Sequence, residues 1–96
     1  MRVVFKNSAI ADIEAIGDYV KLYNPMRAPS IVEEIRQHAI KIGDFPELYP
    51  VVSRFGARHI RRCVHSNYLI FYRIARNRVE VLQVLHGATN FSAERF

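Results

Sequence analysis

Apolar positions recur at two periods along the 96-residue chain, and the change of period divides it. Val3, Val4 and Phe5 lie between Arg2 and Lys6, a short apolar run that reads as a strand and is broken by Asn7-Ser8. Ile10, Ile13, Ile16 or Gly17, Val20 and Tyr23 then return at helical spacing. They predict an amphipathic helix over 9–23, with Ser8 as N-cap and Asp12 favourable in the first turn. Gly17 inside that helix costs roughly 1 kcal/mol relative to Ala unless close packing requires it. Asn24-Pro25 ends this helix and opens the next, whose regular part has a second start at Ser30, three residues before Glu33 as in a capping box. Ile31, Ile35, Ala39 and Ile42, with Val32 and His38 alongside, form its apolar face, and Gly43 is expected to supply a left-handed stop. The pair predicts an antiparallel helical hairpin.

Asp44 to Pro50 holds two prolines and reads as an irregular link. Period two follows, predicting strands over 58–65, 68–74 and 79–86, with hairpin breaks at Ser66-Asn67 and Ala75 to Arg78. The order β-α-α-β-β-β predicts an α+β domain over 1–96, the helical hairpin packed on one face of an antiparallel sheet. Both faces of the last two strands are apolar. Tyr68, Ile70, Tyr72 and Ile74 alternate with Leu69 and Phe71, and Val79, Val81 and Leu85 alternate with Leu82 and Val84. A sheet covered on one side should be polar on the other. The second face is therefore expected to be covered by the Phe45–Tyr49 link, by the tail Phe91 to Phe96, or, the reading favoured here, by another protein.

Composition narrows the class. Half the residues are apolar and 24% are charged, which excludes disordered and low-complexity readings. No apolar run approaches the ~20 residues needed to cross a bilayer, and the N-terminus resembles no secretory signal. A lone cysteine, Cys63, cannot form an internal disulfide, which fits a cytoplasmic protein. With no second Cys and four scattered His, no zinc-ligand spacing exists, and neither metal nor cofactor is expected. Charge is unevenly placed: residues 1–50 carry six Lys or Arg against seven acids, and residues 51–96 carry eight Arg against two. Seven Arg and no acid fall between Arg54 and Arg78, pointing to an anionic macromolecular partner.

In this setting the chain resembles the ParE branch of the ParE/RelE toxin superfamily. The resemblance rests on the first strand followed at once by Ser8 to Val20, on Phe45-Pro46-Glu47, on Arg58-His-Ile-Arg61, on Tyr68 to Arg73, and on Val79 to Gly87, all in the family's order. It implies a toxin encoded beside a ParD-type antitoxin that wraps it with a helix and an extended segment, forming a hetero-oligomer. It also implies DNA gyrase as the target, whereas the RelE branch cleaves messenger RNA on the ribosome.

The residues favour a binder over an enzyme. Metal-free RNA cleavage needs a base, an acid and cations on the phosphate. This chain has no Lys after Lys41, one carboxylate in the predicted sheet (Glu80), and His59, His65 and His86 as acid-base candidates. A nuclease would use His86 with Arg61 and Arg73. A gyrase binder would present Arg58, Arg61, Arg62, Arg73 and His86 to its target and Ile13, Val20, Tyr68, Ile70 and Tyr72 to the antitoxin. Arg73 has two readings, a free bidentate anion binder or a cross-hairpin partner of Glu80. His38 reads as a core or partner contact, and Cys63 as a packed strand residue rather than an activated thiol. A third reading is a non-toxic member retaining only partner binding.

Overall fold

The computed structural model describes residues 1–87. Strand β1 (Arg2–Phe5) leads into helices α1 (Asn7–Tyr23) and α2 (Ala28–Lys41). Strands β2 (Arg61–His65), β3 (Tyr68–Ala75) and β4 (Arg78–His86) follow after two 3-10 segments, Ile42–Asp44 and Ser53–Arg58. The sheet order is β1-β4-β3-β2. The meander β2-β3-β4 is antiparallel, but β1 lies parallel to β4, with Val3 opposite Val79 and Phe5 opposite Val81. The sheet is thus mixed rather than wholly antiparallel, and β4 is a central strand. Centrality explains why β4 is buried from Val79 through Leu85 and reads as a near-continuous apolar run.

The helical hairpin covers one face. Ala9, Ile13, Ile31, Ile35, Ala39 and Ile42 pack there against Cys63, Ile70, Tyr72, Val79, Val81 and Val84. Two glycines permit close approaches. A Cβ on Gly17 would come within 2.9 Å of Val32 Cγ2, so the helices touch where that glycine stands. Gly43 lies inside a 3-10 turn without positive φ, so it is no left-handed stop; a Cβ there would strike the Met1 carbonyl, and the Met1 ammonium donates to the Gly43 carbonyl at 2.9 Å.

Three local expectations change for one reason: side chains read as local caps serve other contacts. Helix α1 starts at Asn7 with Lys6 as its uncapped N-cap. Ser8 instead donates its hydroxyl to the Leu82 carbonyl at 2.6 Å, and Asp12 accepts the Val84 N–H at 2.9 Å. Helix α2 starts at Ala28, ahead of Ser30, whose hydroxyl donates to the Arg27 carbonyl, while Glu33 accepts from Gln37 rather than closing a capping box.

The pairing of β3 with β4 jumps between Phe71, opposite Gln83, and Tyr72, opposite Val81. Leu82 is therefore an extra, bulged residue that re-phases the strand. Val79, Val81 and Val84 consequently share the helix-covered face, while Leu82 and Leu85 share the other, which corrects the simple alternation read from sequence. The same bulge turns the Leu82 carbonyl and Val84 N–H toward α1, beyond the point where β1 ends.

The predicted strand over 58–65 is shorter. Arg58 closes the 3-10 segment, and His59 follows with φ 52°. Gly56, at φ 60° and ψ −135°, breaks that segment in a conformation that suits glycine. This segment covers the second sheet face: Phe55 and Ile60, with Val52, pack on Phe71, Leu82, Leu85 and Leu69, and the Phe55 and Phe71 rings meet edge-on at 6.1 Å. The chain itself supplies that cover, contrary to the partner reading, and it comes from residues 52–60 rather than from the Phe45–Tyr49 link. The tail 91–96, also proposed for this role, lies outside the described residues. The β3-β4 connection is tighter than expected, a two-residue turn with both Arg76 and Asn77 at positive φ.

Candidate functional site

Strand alternation decides where each arginine goes. Arg61 opposes Tyr72 and therefore lies on the helix-covered side, whereas Arg62 opposes Phe71 on the other. Arg61 donates to the carbonyls of Glu47 (3.1 Å) and Tyr49 (2.6 Å), so it braces the Pro46 to Pro50 link. The Tyr72 hydroxyl helps by donating to the Pro46 carbonyl at 2.7 Å. Burial pushes the Tyr72 phenol up to about 12, so it keeps its proton and its donor role.

Arg73 takes the second of its two readings. Its Nε donates to Glu80 Oε1 at 2.9 Å, and Arg78 donates to Oε2 through Nε at 3.0 Å and Nη2 at 2.7 Å. Glu80 is 3% exposed, but the arginine side chains are 42% and 27% exposed, so a buried carboxylate anchors two guanidinium groups that reach water. The bonds from Arg78 and then Arg73 hold the Glu80 carboxyl down to about 2, so it stays ionised throughout the physiological range.

The histidines are dispersed. His86 opposes Tyr68 at the far end of β3, their rings edge-on at 5.7 Å. His59 is exposed beside the 3-10 segment. His65 ends β2 and stacks on His38 of α2, centroids 4.5 Å apart, with Nε2 buried and 3.9 Å from Glu34 Oε1. Burial, and then the neighbouring His65 and Lys41, push the His38 imidazole below its ordinary value, so neutrality is favoured there. Glu34 is itself clamped by Arg27 across the start of α2. Cys63 is fully buried and its thiol is pushed up by that burial, as befits a packed strand residue. No group of three or more His, Cys, Asp or Glu among the described residues is arranged to hold a metal ion.

The proposed nuclease set does not converge. His86 sits at the Tyr68 end of the sheet and Arg73 five positions along β3, roughly 16 Å away at about 3.3 Å per residue. Arg61 projects from the opposite face to Arg73. The five-residue target surface divides for the same reason: Arg62 and Arg73 share a face, Arg61 and His86 take the other, and Arg58 belongs to the 3-10 segment.

Among the residues assigned to the antitoxin, Ile70 and Tyr72 have no exposed surface, because they form the floor under the helices, so neither can touch a partner. Val20 and Tyr68 are partly exposed at the edge of that core. Ile13 is 6% exposed yet lines a cleft of about 410 Å³ between α1 and α2, together with Ile10, Gly17 and Val32 and the charged Glu14, Asp18 and Arg36. Arg76 and Arg78, which belong to the acid-free arginine run but are not among the residues expected to face the target, join the arginine surface together with Arg2, which lies outside that run. Arg2 reaches the cluster because β1 lies beside β4, where it opposes Arg78, a pairing that no local pattern reveals.

Fold and surface together describe a small α+β domain that presents a cleft on its helices and a band of arginines on its sheet. Residues 3–91 match the sequence profile described as ParE toxin of type II toxin-antitoxin system, parDE, and the chain belongs to this toxin family. The chain is similar to Toxin RelE2 of Caulobacter vibrioides, at 27% identity over 88 residues, spanning 91% of this chain and 96% of that protein. Its fold matches a solved chain of the chromosomal ParDE TA system from P. aeruginosa with a TM-score of 0.75 at 16% identity, covering 90% of this chain and 95% of that one. Among the described residues, no helix is long and apolar enough to cross a membrane.

Proposed function

We propose that this ParE-family toxin acts in the cytoplasm by binding DNA gyrase, not by cleaving RNA, and that a ParD-type antitoxin neutralises it. The observation that carries this reading is the dispersal of the acid-base candidates. His86, Arg61 and Arg73 occupy two faces and opposite ends of the sheet, so no single phosphodiester can meet all three. The arginines instead suit recognition, since two are held in fixed orientation by Glu80 and two others lie nearby at a turn and an edge strand.

The antitoxin seats in the cleft between α1 and α2. Its apolar lining from Ile10, Ile13 and Val32 would take a greasy side chain, and Glu14, Asp18 and Arg36 would fix its register. Val20 and Tyr68 lie at the margin of the same layer. The excess positive charge of the second half would speed capture of an acidic antitoxin.

The test incubates the purified chain with gyrase and plasmid and, in parallel, with translating ribosomes. Inhibited or trapped gyrase with intact message is the expected result. Site-specific message cleavage that His86→Ala abolishes would overturn the reading in favour of a RelE-type endoribonuclease, and silence in both assays would reduce the chain to a partner-binding module.

A further inference from the structure

One end of the sheet concentrates positive charge more than the sequence alone suggests. On the face away from the helices, Arg73 of β3, Arg78 of β4 and Arg2 of β1 stand on three adjacent strands, with Arg76 in the turn between β3 and β4. Neighbouring strands are about 4.8 Å apart and Arg73, in register with Glu80, stands two residues along from Arg78, so the group spans about 12 Å. Lys6 is close enough for its charge to act on Glu80. Glu80 is the one acid in this set, and its two oxygens are already taken by Arg73 and Arg78. Three cations, Arg73, Arg78 and Lys6, therefore act on a single carboxylate, and Arg2 and Arg76 stand beside them on the neighbouring strand and turn.

Two features mark this arrangement as a receptor rather than a structural ion pair. Arg73 binds Glu80 through Nε alone, so both of its Nη groups lie outside that bond. Arg2 and Arg78 are cross-strand neighbours, and like charges so placed repel and destabilise a sheet. An anion bound between them would relieve that repulsion.

We infer that Arg2, Arg73, Arg76 and Arg78 form a binding site for the phosphate backbone of duplex DNA. Charge density separates DNA from an acidic protein segment. An extended peptide directs side chains to one face only every second residue, about 6.6 Å apart, so it offers at most two carboxylates across the row. One strand of duplex DNA carries a phosphate for every ~3.4 Å of helix axis, about three or four within the ~12 Å that these guanidinium groups span. The Arg73 guanidinium, held through Nε by a buried carboxylate, also keeps both Nη groups for bidentate binding of phosphate oxygens with little ordering cost. Phosphate recognition of this kind fixes position and carries no sequence information, so the site would grip any DNA sequence. The inference rests on the gyrase reading and deepens it, because gyrase presents its substrate DNA alongside its own surface.

The experiment measures binding of the intact chain to a fluorescein-labelled duplex of about 20 base pairs by anisotropy across a salt series. Wild type is compared with Arg2→Ala/Arg76→Ala and with Lys21→Ala on α1 as a control for charge, all checked for unchanged melting. The expected result is wild-type binding whose log–log salt slope becomes shallower by about 2 in the double variant, at roughly 0.9 for each phosphate no longer neutralised, and is unchanged in Lys21→Ala. Three results would overturn the inference: no duplex binding by wild type, equal slopes in wild type and double variant, or displacement of the duplex by poly-glutamate at matched charge, which would assign the site to an acidic protein. Gyrase inhibition is read on the same preparations. Inhibition by a wild type that ignores free duplex defeats this inference and leaves the gyrase reading standing, while duplex binding without inhibition does the reverse.

Discussion

The Asp12 carboxylate of α1 accepts the backbone N–H of Val84 in β4 at 2.9 Å, across 72 residues of chain. The bond exists because β1 ends at Phe5 while β4 continues to His86, which leaves the edge of β4 without a strand partner. Ser8 and Asp12 take the place of that missing strand, the first donating to β4 and the second accepting from it, and so fix how α1 lies on the sheet.

Removing this acceptor leaves a polar group stranded beside the core. Val84 is 1% exposed, so Asp12→Ala should cost about 1–3 kcal/mol in urea unfolding. Asp12→Asn keeps an oxygen in place and should recover most of the loss. Equal destabilisation by both variants would show that the Val84 bond is not what anchors α1.

The two close-approach glycines should respond differently to a methyl group. At Gly17 the obstacle is the Val32 side chain, so Gly17→Ala should cost about 1 kcal/mol net of improved helix propensity, and Val32→Ala should restore that increment in a double-mutant cycle. At Gly43 the obstacle is the Met1 backbone carbonyl, which cannot move without displacing β1. Gly43→Ala should therefore cost more, about 2–3 kcal/mol, and should expose the β1 amides in hydrogen exchange. A milder effect at Gly43 than at Gly17 would contradict the packing described.

Acid should weaken the fold through Glu80. Its folded value of about 2 lies below the ordinary 4.5, so the Arg73–Glu80–Arg78 cluster contributes fully above about pH 5 and loses its contribution as pH falls toward 2. Urea midpoints measured from about pH 7 down to about pH 2 should drop across that window in wild type. Glu80→Gln, already weaker by about 2 kcal/mol at neutral pH, should drop less steeply, and parallel curves for the two proteins would refute the assignment.

Much of this architecture is legible in the sequence because it is periodic. The spacing of Ile31, Ile35 and Ala39 marks the buried stripe of α2, and the alternation from Tyr68 to Ile74 marks a strand covered on both faces. The features that escape are those whose cause is distant. Phe55 stands alone in Ser-Arg-Phe-Gly-Ala-Arg, and nothing local says that it caps Phe71. The bulge at Leu82 leaves the composition of β4 unchanged yet reverses which residues share a face. Ser8 and Asp12 are residue types that cap helices, but here the unpaired edge of β4 claims them. For the candidate site, the abundance of arginine is visible in the sequence, and the opposite orientation of Arg61 and Arg62 follows from strand alternation. The meeting of Arg2 with Arg78 depends on a pairing between the two ends of the domain.

That long-range pairing bears on when the domain can assemble. Among the described residues the first strand docks against the fourth, and α1 rests on that same strand, so a growing chain has no sheet centre to assemble around until β4 has been made. A chain stopped before β4 therefore leaves β1 without its partner strand and α1 without the backbone groups that Ser8 and Asp12 bind.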